Sequence, residues 1–252
     1  MRCKATRKSL KFISAIEEHM SNHIFSVKAL DSGYGQSQVI HDLNLDVGKR
    51  EIVAVMGRNG MGKTTLFKTL MGIIPSARGS ITVDGNSLDG LDTYQRVQQG
   101  LAYVPQGRMI FSNMTVVENI QTGLPSSADG VVPEELYALF PVLFDMRSRK
   151  GGNLSGGQQQ QLAIARALAT NPKVLLLDEP TEGIQPSIIK DIAKTLKEIR
   201  DMRDLTIIVS EQVLSFTLDI ADRFFVIDKG KFAYEDLRAN VDQATISKYL
   251  SI

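Results

Sequence analysis

The chain is poor in several things, and each shortage narrows its function. It has a single cysteine, Cys3, so no internal disulfide framework can form and a reducing compartment suits it. Its formal net charge is only +1, so no overall field draws it to nucleic acid or anionic lipid. No apolar run is long enough to span a bilayer, so a membrane role must come through a partner. Internal repeats and sustained heptads are missing, and the only low-complexity tract is the glutamine run at 158–161. What is present is 252 residues with 43% hydrophobic content, which suits one large globular domain or a domain with a satellite lobe.

Residues 1–22 read as an N-terminal extension. Arg2, Lys4, Arg7, Lys8 and Lys11 make it basic, with no apolar core of signal-peptide length. A disordered extension, a start at Met20, a lipid-touching tail and a transit-like segment all fit that composition.

Along the rest of the chain, residues 24–47 alternate and carry turn signals at Asp31-Ser32-Gly33-Tyr34-Gly35, which predicts short antiparallel strands. Further strands are expected at 51–56, 81–83, 101–104, 174–177, 206–209 and 224–227. From about 107 to 165 strand runs vanish and helical stretches appear, at 115–121 and 134–140, which reads as a helical insertion. In 186–199 the apolar positions Ile188, Ile189, Ile192, Leu196 and Ile199 recur at helical spacing, with Pro186 suited to a first turn. Strands alternating with helices argue a parallel sheet covered on both faces.

Eight residues carry the most chemistry: Gly57-Arg58-Asn59-Gly60-Met61-Gly62-Lys63-Thr64, which fit the phosphate-binding loop G-x-x-x-x-G-K-[ST]. An apolar strand precedes them and a helix beginning with Thr65 follows, the setting the motif requires. The glycines let backbone N–H groups point inward, and the helix adds its positive end. Lys63 would reach the β- and γ-phosphates of a nucleotide, and the Thr64 hydroxyl would ligate magnesium. The plain alternative is a Gly-rich turn with a surface lysine.

A second strand, Val174-Leu175-Leu176-Leu177-Asp178-Glu179, ends in two carboxylates. Ends of parallel strands are where ligands bind in open α/β sheets. Asp178 is placed to hold the hydration shell of magnesium, and Glu179 to orient or deprotonate an attacking water. Leu154-Ser155-Gly156-Gly157-Gln158 opens another helix, with Ser155 as its N-cap. Two anion-binding helix starts are hard to use on one γ-phosphate within one subunit. The economical reading is that the second serves the nucleotide of a facing copy.

With the phosphate loop, the LSGGQ string and the strand ending in Asp178-Glu179 in view, the chain resembles the ATP-binding subunit of an ABC transporter over nearly all of 24–252. That resemblance implies an α/β P-loop (RecA-like) core with an antiparallel β-subdomain and a helical subdomain. It implies ATP and magnesium as ligands. It also implies that Gln106, in Tyr103-Val104-Pro105-Gln106, senses the γ-phosphate and metal, and that Tyr34 stacks on adenine. The partners implied are a second homologous ATPase subunit, two transmembrane permeases and, indirectly, a periplasmic solute-binding protein, at the cytoplasmic face of a bacterial inner membrane. Gly107-Arg108, the glutamine run and Thr181-Glu182-Gly183-Ile184-Gln185-Pro186 look like the subfamily serving importers of branched-chain amino acids and urea, most like the urea type. Two positions depart from the general pattern. Gln212 stands where most members carry a histidine, and Gln185 where an aspartate is usual. A glutamine can donate to a γ-phosphate but brings no cationic charge. A soluble, non-transport ABC ATPase and a nucleotide-binding regulatory subunit are the rival readings.

Overall fold

The computed structural model describes residues 23–250, so the readings of the basic N-terminus lie outside the described residues. Two sheets organise the chain. The first is antiparallel, in the order β2-β1-β4-β5, built from β1 (His23–Tyr34), β2 (Ser37–Gly48), β4 (Ser76–Val83) and β5 (Asn86–Ser87). The second has the order β10-β9-β3-β8-β7-β6. Its members are β3 (Ile52–Met56), β6 (Leu101–Val104), β7 (Val174–Asp178), β8 (Thr206–Glu211), β9 (Arg223–Asp228) and β10 (Lys231–Leu237). All its pairings are parallel except β9 with β10, which are joined by a turn at Lys229-Gly230.

The parallel strands are apolar on both faces, and the period of two divides them between two cores. Ile52, Ala54, Leu175, Leu177, Ile207 and Val209 face one cluster. Val53, Val55, Val174, Leu176 and Ile208 face the other. The second core is closed by helix α1 (Lys63–Leu70) and by the antiparallel sheet. The first is closed by α3 (Val116–Gln121), α6 (Gly156–Leu168), α7 (Pro186–Arg203), α8 (Leu214–Ile220) and α9 (Gln243–Leu250), with α4 (Glu134–Leu139) and α5 (Pro141–Asp145) beside them. Pro186 is at the first position of α7, as its chemistry suggests.

Three local expectations need correction. The short strands of 24–47 are two strands of 12 residues each. Their turn is at Gly35 and Gln36, not at 31–35. The polar residues before it are used inside the ribbon: Asp31 accepts from Arg78 and from the Asp42 N–H, and Ser32 hydrogen-bonds the buried Thr69 hydroxyl at 2.6 Å. The register shifts along the ribbon absorb these turn-like residues as bulges. Third, the strand expected to stop at Val209 runs on through Ser210 and Glu211. Between β6 and β7 the described residues contain one isolated bridge, Thr115 to Lys150, and otherwise helices and loops. Residue 165 falls within α6, which packs against both α3 and β6.

One long-range connection anchors the carboxyl end of the helix that follows the phosphate loop. Helix α2 (Thr93–Gln98) buries Arg96 at the carboxyl end of α1. Arg96 Nη1 donates to the carbonyls of Thr69 at 3.0 Å and Leu70 at 2.7 Å, and its Nε to that of Leu91 at 3.1 Å. A cation there adds a charged donor at the helix end and complements the helix dipole. Burial pushes the Arg96 pKa down from its ordinary value.

Candidate active site

Four parallel strands end at one edge of the sheet, and the register sets their tips side by side. Met56 is opposite Glu211, Asp178 opposite Ser210, and Val104 opposite Leu177. The loops that leave these tips carry Gly57 to Gly62, Gln212, Glu179 and Gln106. The chemistry expected from separate stretches of sequence is therefore gathered at one place.

The phosphate loop is shaped by two glycines. A Cβ at Gly57 would lie 2.7 Å from the Ile227 carbonyl oxygen, so only glycine lets the loop rest on β9. Gly62, at φ 111°, is the left-handed residue from which α1 starts. The helix begins at Lys63, two residues before the position the apolar pattern indicated. Lys63 Nζ lies inside the curl, 2.6 Å from the Gly57 carbonyl and 3.2 Å from that of Arg58, and 3.0 Å from Glu179 Oε1. A cleft of about 360 Å³ opens over this loop, lined by Asn59, Gly60, Gly62, Lys63, Thr64 and Thr65, with Val39, Gln106 and Glu179.

The two carboxylates at the end of β7 differ in environment. Asp178 is buried, with the Ser210 hydroxyl donating to Oδ1 and the Tyr103 hydroxyl to Oδ2 at 3.1 Å. Burial, and then the Asp178 carboxylate, push the Tyr103 phenol far above its usual range, so it stays a donor. Glu179 follows in the left-handed region, at φ 47°, a conformation costly for a side chain with a Cβ. Its N–H donates to the Ser210 carbonyl at 3.0 Å. Gln106 Nε2 donates at 3.2 Å to both Glu179 Oε2 and Glu182 Oε2. Gln212 follows β8 directly, its N–H held by Glu211 Oε2 at 2.8 Å.

Asp178, Gln212, Gly57, Arg58 and Met61 are not part of that lining, and neither are the Ser155 segment and Tyr34. Ser155 is the N-cap of α6 in a reciprocal capping box: its Oγ accepts from the Gln158 N–H at 3.4 Å, and Gln158 Oε1 accepts from the Ser155 N–H at 2.9 Å. Gly156 and Gly157 form the first turn, and none of 155–158 lines the cleft over the phosphate loop of their own chain. Tyr34, at the end of β1, is 52% exposed, with its ring available to solvent.

Comparison with known proteins decides the family. The profile described as ABC transporter matches residues 40–182, more than half of the chain. The chain belongs to the ABC transporter family. It is 38% identical over 219 residues to the high-affinity branched-chain amino acid transport ATP-binding protein BraG of Pseudomonas aeruginosa, covering 86% of this chain and 94% of that protein. It is 35% identical over 214 residues to the lipopolysaccharide export system ATP-binding protein LptB of Haemophilus influenzae, covering 82% and 88%. Among solved structures, MJ1267, an ATP-binding cassette of an ABC transporter, superposes with a TM-score of 0.79 at 24% identity, covering 91% of this chain and 99% of that one. The protein is thus an ATP-binding, ATP-hydrolysing subunit of an ABC transporter, on the cassette fold expected from its motifs.

The donor set of this ABC cassette also suits magnesium. Among the described residues there is no cluster of three or more His, Cys, Asp or Glu side chains that could hold a metal by itself. Magnesium arriving with a nucleotide needs only one or two protein oxygens beside phosphates and waters. The Thr64 hydroxyl, the Gln106 amide oxygen and Asp178 are hard oxygen donors of the right kind. Both Asp178 oxygens already accept hydrogen bonds, which fits contact through a water.

Several residues around the cassette's cleft had no role assigned from sequence. Ser210 and Tyr103 steer Asp178; Arg108 Nη2 donates to the Glu182 carbonyl at 2.9 Å; Glu211 brackets the loops on either side. Tyr103 and Arg108 belong to the strings around Gln106, and Ser210 and Glu211 directly precede Gln212, but none of the four carries a sequence signal for its partner.

Proposed function

We propose that this subunit drives a small-solute importer by a two-site ATP sandwich. Each ATP is gripped by Gly57 to Thr65 of one subunit and by Ser155, Gly156, Gly157 and Gln158 of a facing homologous subunit. The observation that carries this is the meeting of Lys63, Glu179 and Gln106 in one cleft while the α6 amino terminus of the same chain stays out of it. Tyr34 offers its exposed ring to adenine. The phosphate-loop amides and Lys63 neutralise charge on the β- and γ-phosphates. Thr64, Gln106 and Asp178 would hold magnesium, which supplies further charge neutralisation. Glu179 orients a water in line with the γ-phosphate and takes its proton. Gln212 donates its amide to the γ-phosphate from the other side.

ATP favours the closed pair because both subunits contact it only there, and hydrolysis removes that preference. The likeness to BraG, described as a branched-chain amino acid transport ATP-binding protein, supports such an amino acid as the solute. The string Thr181-Glu182-Gly183-Ile184-Gln185-Pro186 is the feature that points to urea instead. Two permeases and a periplasmic solute-binding protein complete the machine. The subunit sits peripherally at the cytoplasmic face of the inner membrane. Among the described residues no helix is long and apolar enough to cross a membrane. The test is uptake into vesicles carrying the reconstituted complex with ATP enclosed. Labelled leucine or urea should accumulate with the native subunit and not with Glu179→Gln, which should bind ATP and stay closed. A Glu179→Gln complex that hydrolyses ATP at the parent rate, or a native complex that moves neither solute, defeats the proposal.

A further inference from the structure

Glu211 is 1% exposed, and no ion-pair partner accounts for it among the described contacts. Its carboxylate accepts four hydrogen bonds. Oε1 receives the Thr181 N–H at 3.0 Å and also the Thr181 hydroxyl; Oε2 receives the N–H groups of Gln212 at 2.8 Å and Val213 at 3.0 Å. One buried side chain thus joins two loops that leave neighbouring strands of the parallel sheet. One loop begins with Glu179, the other with Gln212.

The first loop needs such a tie. Glu179 is held at φ 47°, a conformation that persists only where its surroundings over-determine it. Upstream it is fixed by the Ser210 carbonyl. Downstream, the Glu182 N–H donates to the Glu179 carbonyl at 3.2 Å, and Thr181, between them, is anchored on Glu211. The same loop reaches the glutamine loop, because Glu182 accepts from Gln106 with its side chain and from Arg108 with its carbonyl. Thr181 is therefore clamped on one side and its neighbour on the other.

We propose that Glu211 is a positioning residue for ATP hydrolysis, setting Glu179 and Gln212 at a fixed separation through its bonds to Thr181 and to the amides that follow it. This rests on the roles given above to Glu179 and Gln212. Glu211 itself is buried behind the cleft and is not part of its lining. A glutamine at 211 would turn an NH₂ toward N–H donors, so at least one loop must move away. Most of the nucleotide grip, on the backbone of Gly57 to Thr65 and on Tyr34, belongs to other elements, so affinity should change far less than turnover.

The experiment compares Glu211→Gln, Thr181→Val, the two combined, Thr181→Ser and Glu179→Gln in the full-length chain within the assembled complex that supports turnover. Thr181→Val keeps shape and removes only the hydroxyl, so it stands if Glu211→Gln folds poorly. Misplacing a reacting group by about 1 Å costs up to about a hundredfold, so Thr181→Val and Glu211→Gln should each lower kcat about tenfold or more, with KM for ATP within about twofold. Thr181→Ser should keep the native rate. The double variant should be no slower than the slower single one, because both cut the same link. A native rate in Thr181→Val, multiplying losses in the double variant, or a rise in KM with kcat unchanged would overturn the assignment. Glu179→Gln separates the two levels. If it abolishes turnover while Thr181→Val runs at full speed, only Glu211 loses its role; if it turns over normally, the functional reading beneath falls as well.

Discussion

Lys63 Nζ and Glu179 Oε1 are 3.0 Å apart, with side-chain exposures of 3% and 7%. The phosphate-loop cation and the carboxylate at the end of β7 are thus partners in a nearly dry site, where each screens the other's burial. Such a pair is costly to break from one side only, because the remaining charge stays buried and uncompensated.

Lys63→Ala should therefore damage both chemistry and stability. Loss of a charge aimed at the phosphates should cut turnover on the order of a hundredfold or more. The orphaned Glu179 should cost about 3 kcal/mol of unfolding free energy. Adding Glu179→Gln to Lys63→Ala should recover part of that stability and none of the turnover. Denaturant unfolding of the singles and the double variant checks it; strictly additive losses would show that the pair contributes nothing.

The position of Ser155 tests the sandwich. Pairs can be assembled with Ser155→Arg and Lys63→Ala either both in one copy or one in each copy. If the α6 amino terminus serves the neighbour's nucleotide, both changes in one copy disable both sites, and the split arrangement leaves one site whole. Turnover should be near zero in the first pair and about half of native in the second, since one of two equivalent sites survives. The reverse order would mean that each chain completes its own site.

Arg96 separates fold from catalysis. Arg96→Met would remove a charged donor from the carbonyls of Thr69, Leu70 and Leu91. Hydrogen bonds from a charged group are worth about 1.5–3 kcal/mol each at most, so a loss of about 2–4 kcal/mol in unfolding free energy is expected after relaxation. Arg96→Lys should restore little, because an ammonium cannot span carbonyls that the planar fork reaches together. ATP affinity per folded molecule should be unchanged, as measured by labelled-ATP binding below the unfolding transition.

Much of the site was legible because its parts are local. The phosphate loop is eight contiguous residues, Asp178 and Glu179 follow one apolar strand, and Ser155 and Gln158 form a capping box three residues apart. Continuous apolar runs at 52–56 and 174–177 could be read as buried strand, and the structure divides those same residues between two cores. What escaped depends on partners far apart in the chain. Arg96 finds the carbonyls of a helix 26 and 27 residues earlier, and Glu211 finds Thr181 30 residues earlier. Nothing in the text around either residue announces those meetings. The turn misplaced at 31–35 has a related cause. Asp31, Ser32 and Gly33 have turn chemistry, but ribbon bulges and the neighbouring β4 use it within the strands.

The seating of Gly57 against the Ile227 carbonyl has a consequence for how fast ligand is captured. The curl of N–H groups takes its curvature from the adjacent strand and from the helix start at Gly62, so the entering phosphates find it already bent. Little chain entropy is left to surrender on association. Binding should then run close to a simple encounter, and differences between nucleotides should appear mainly in how slowly they leave.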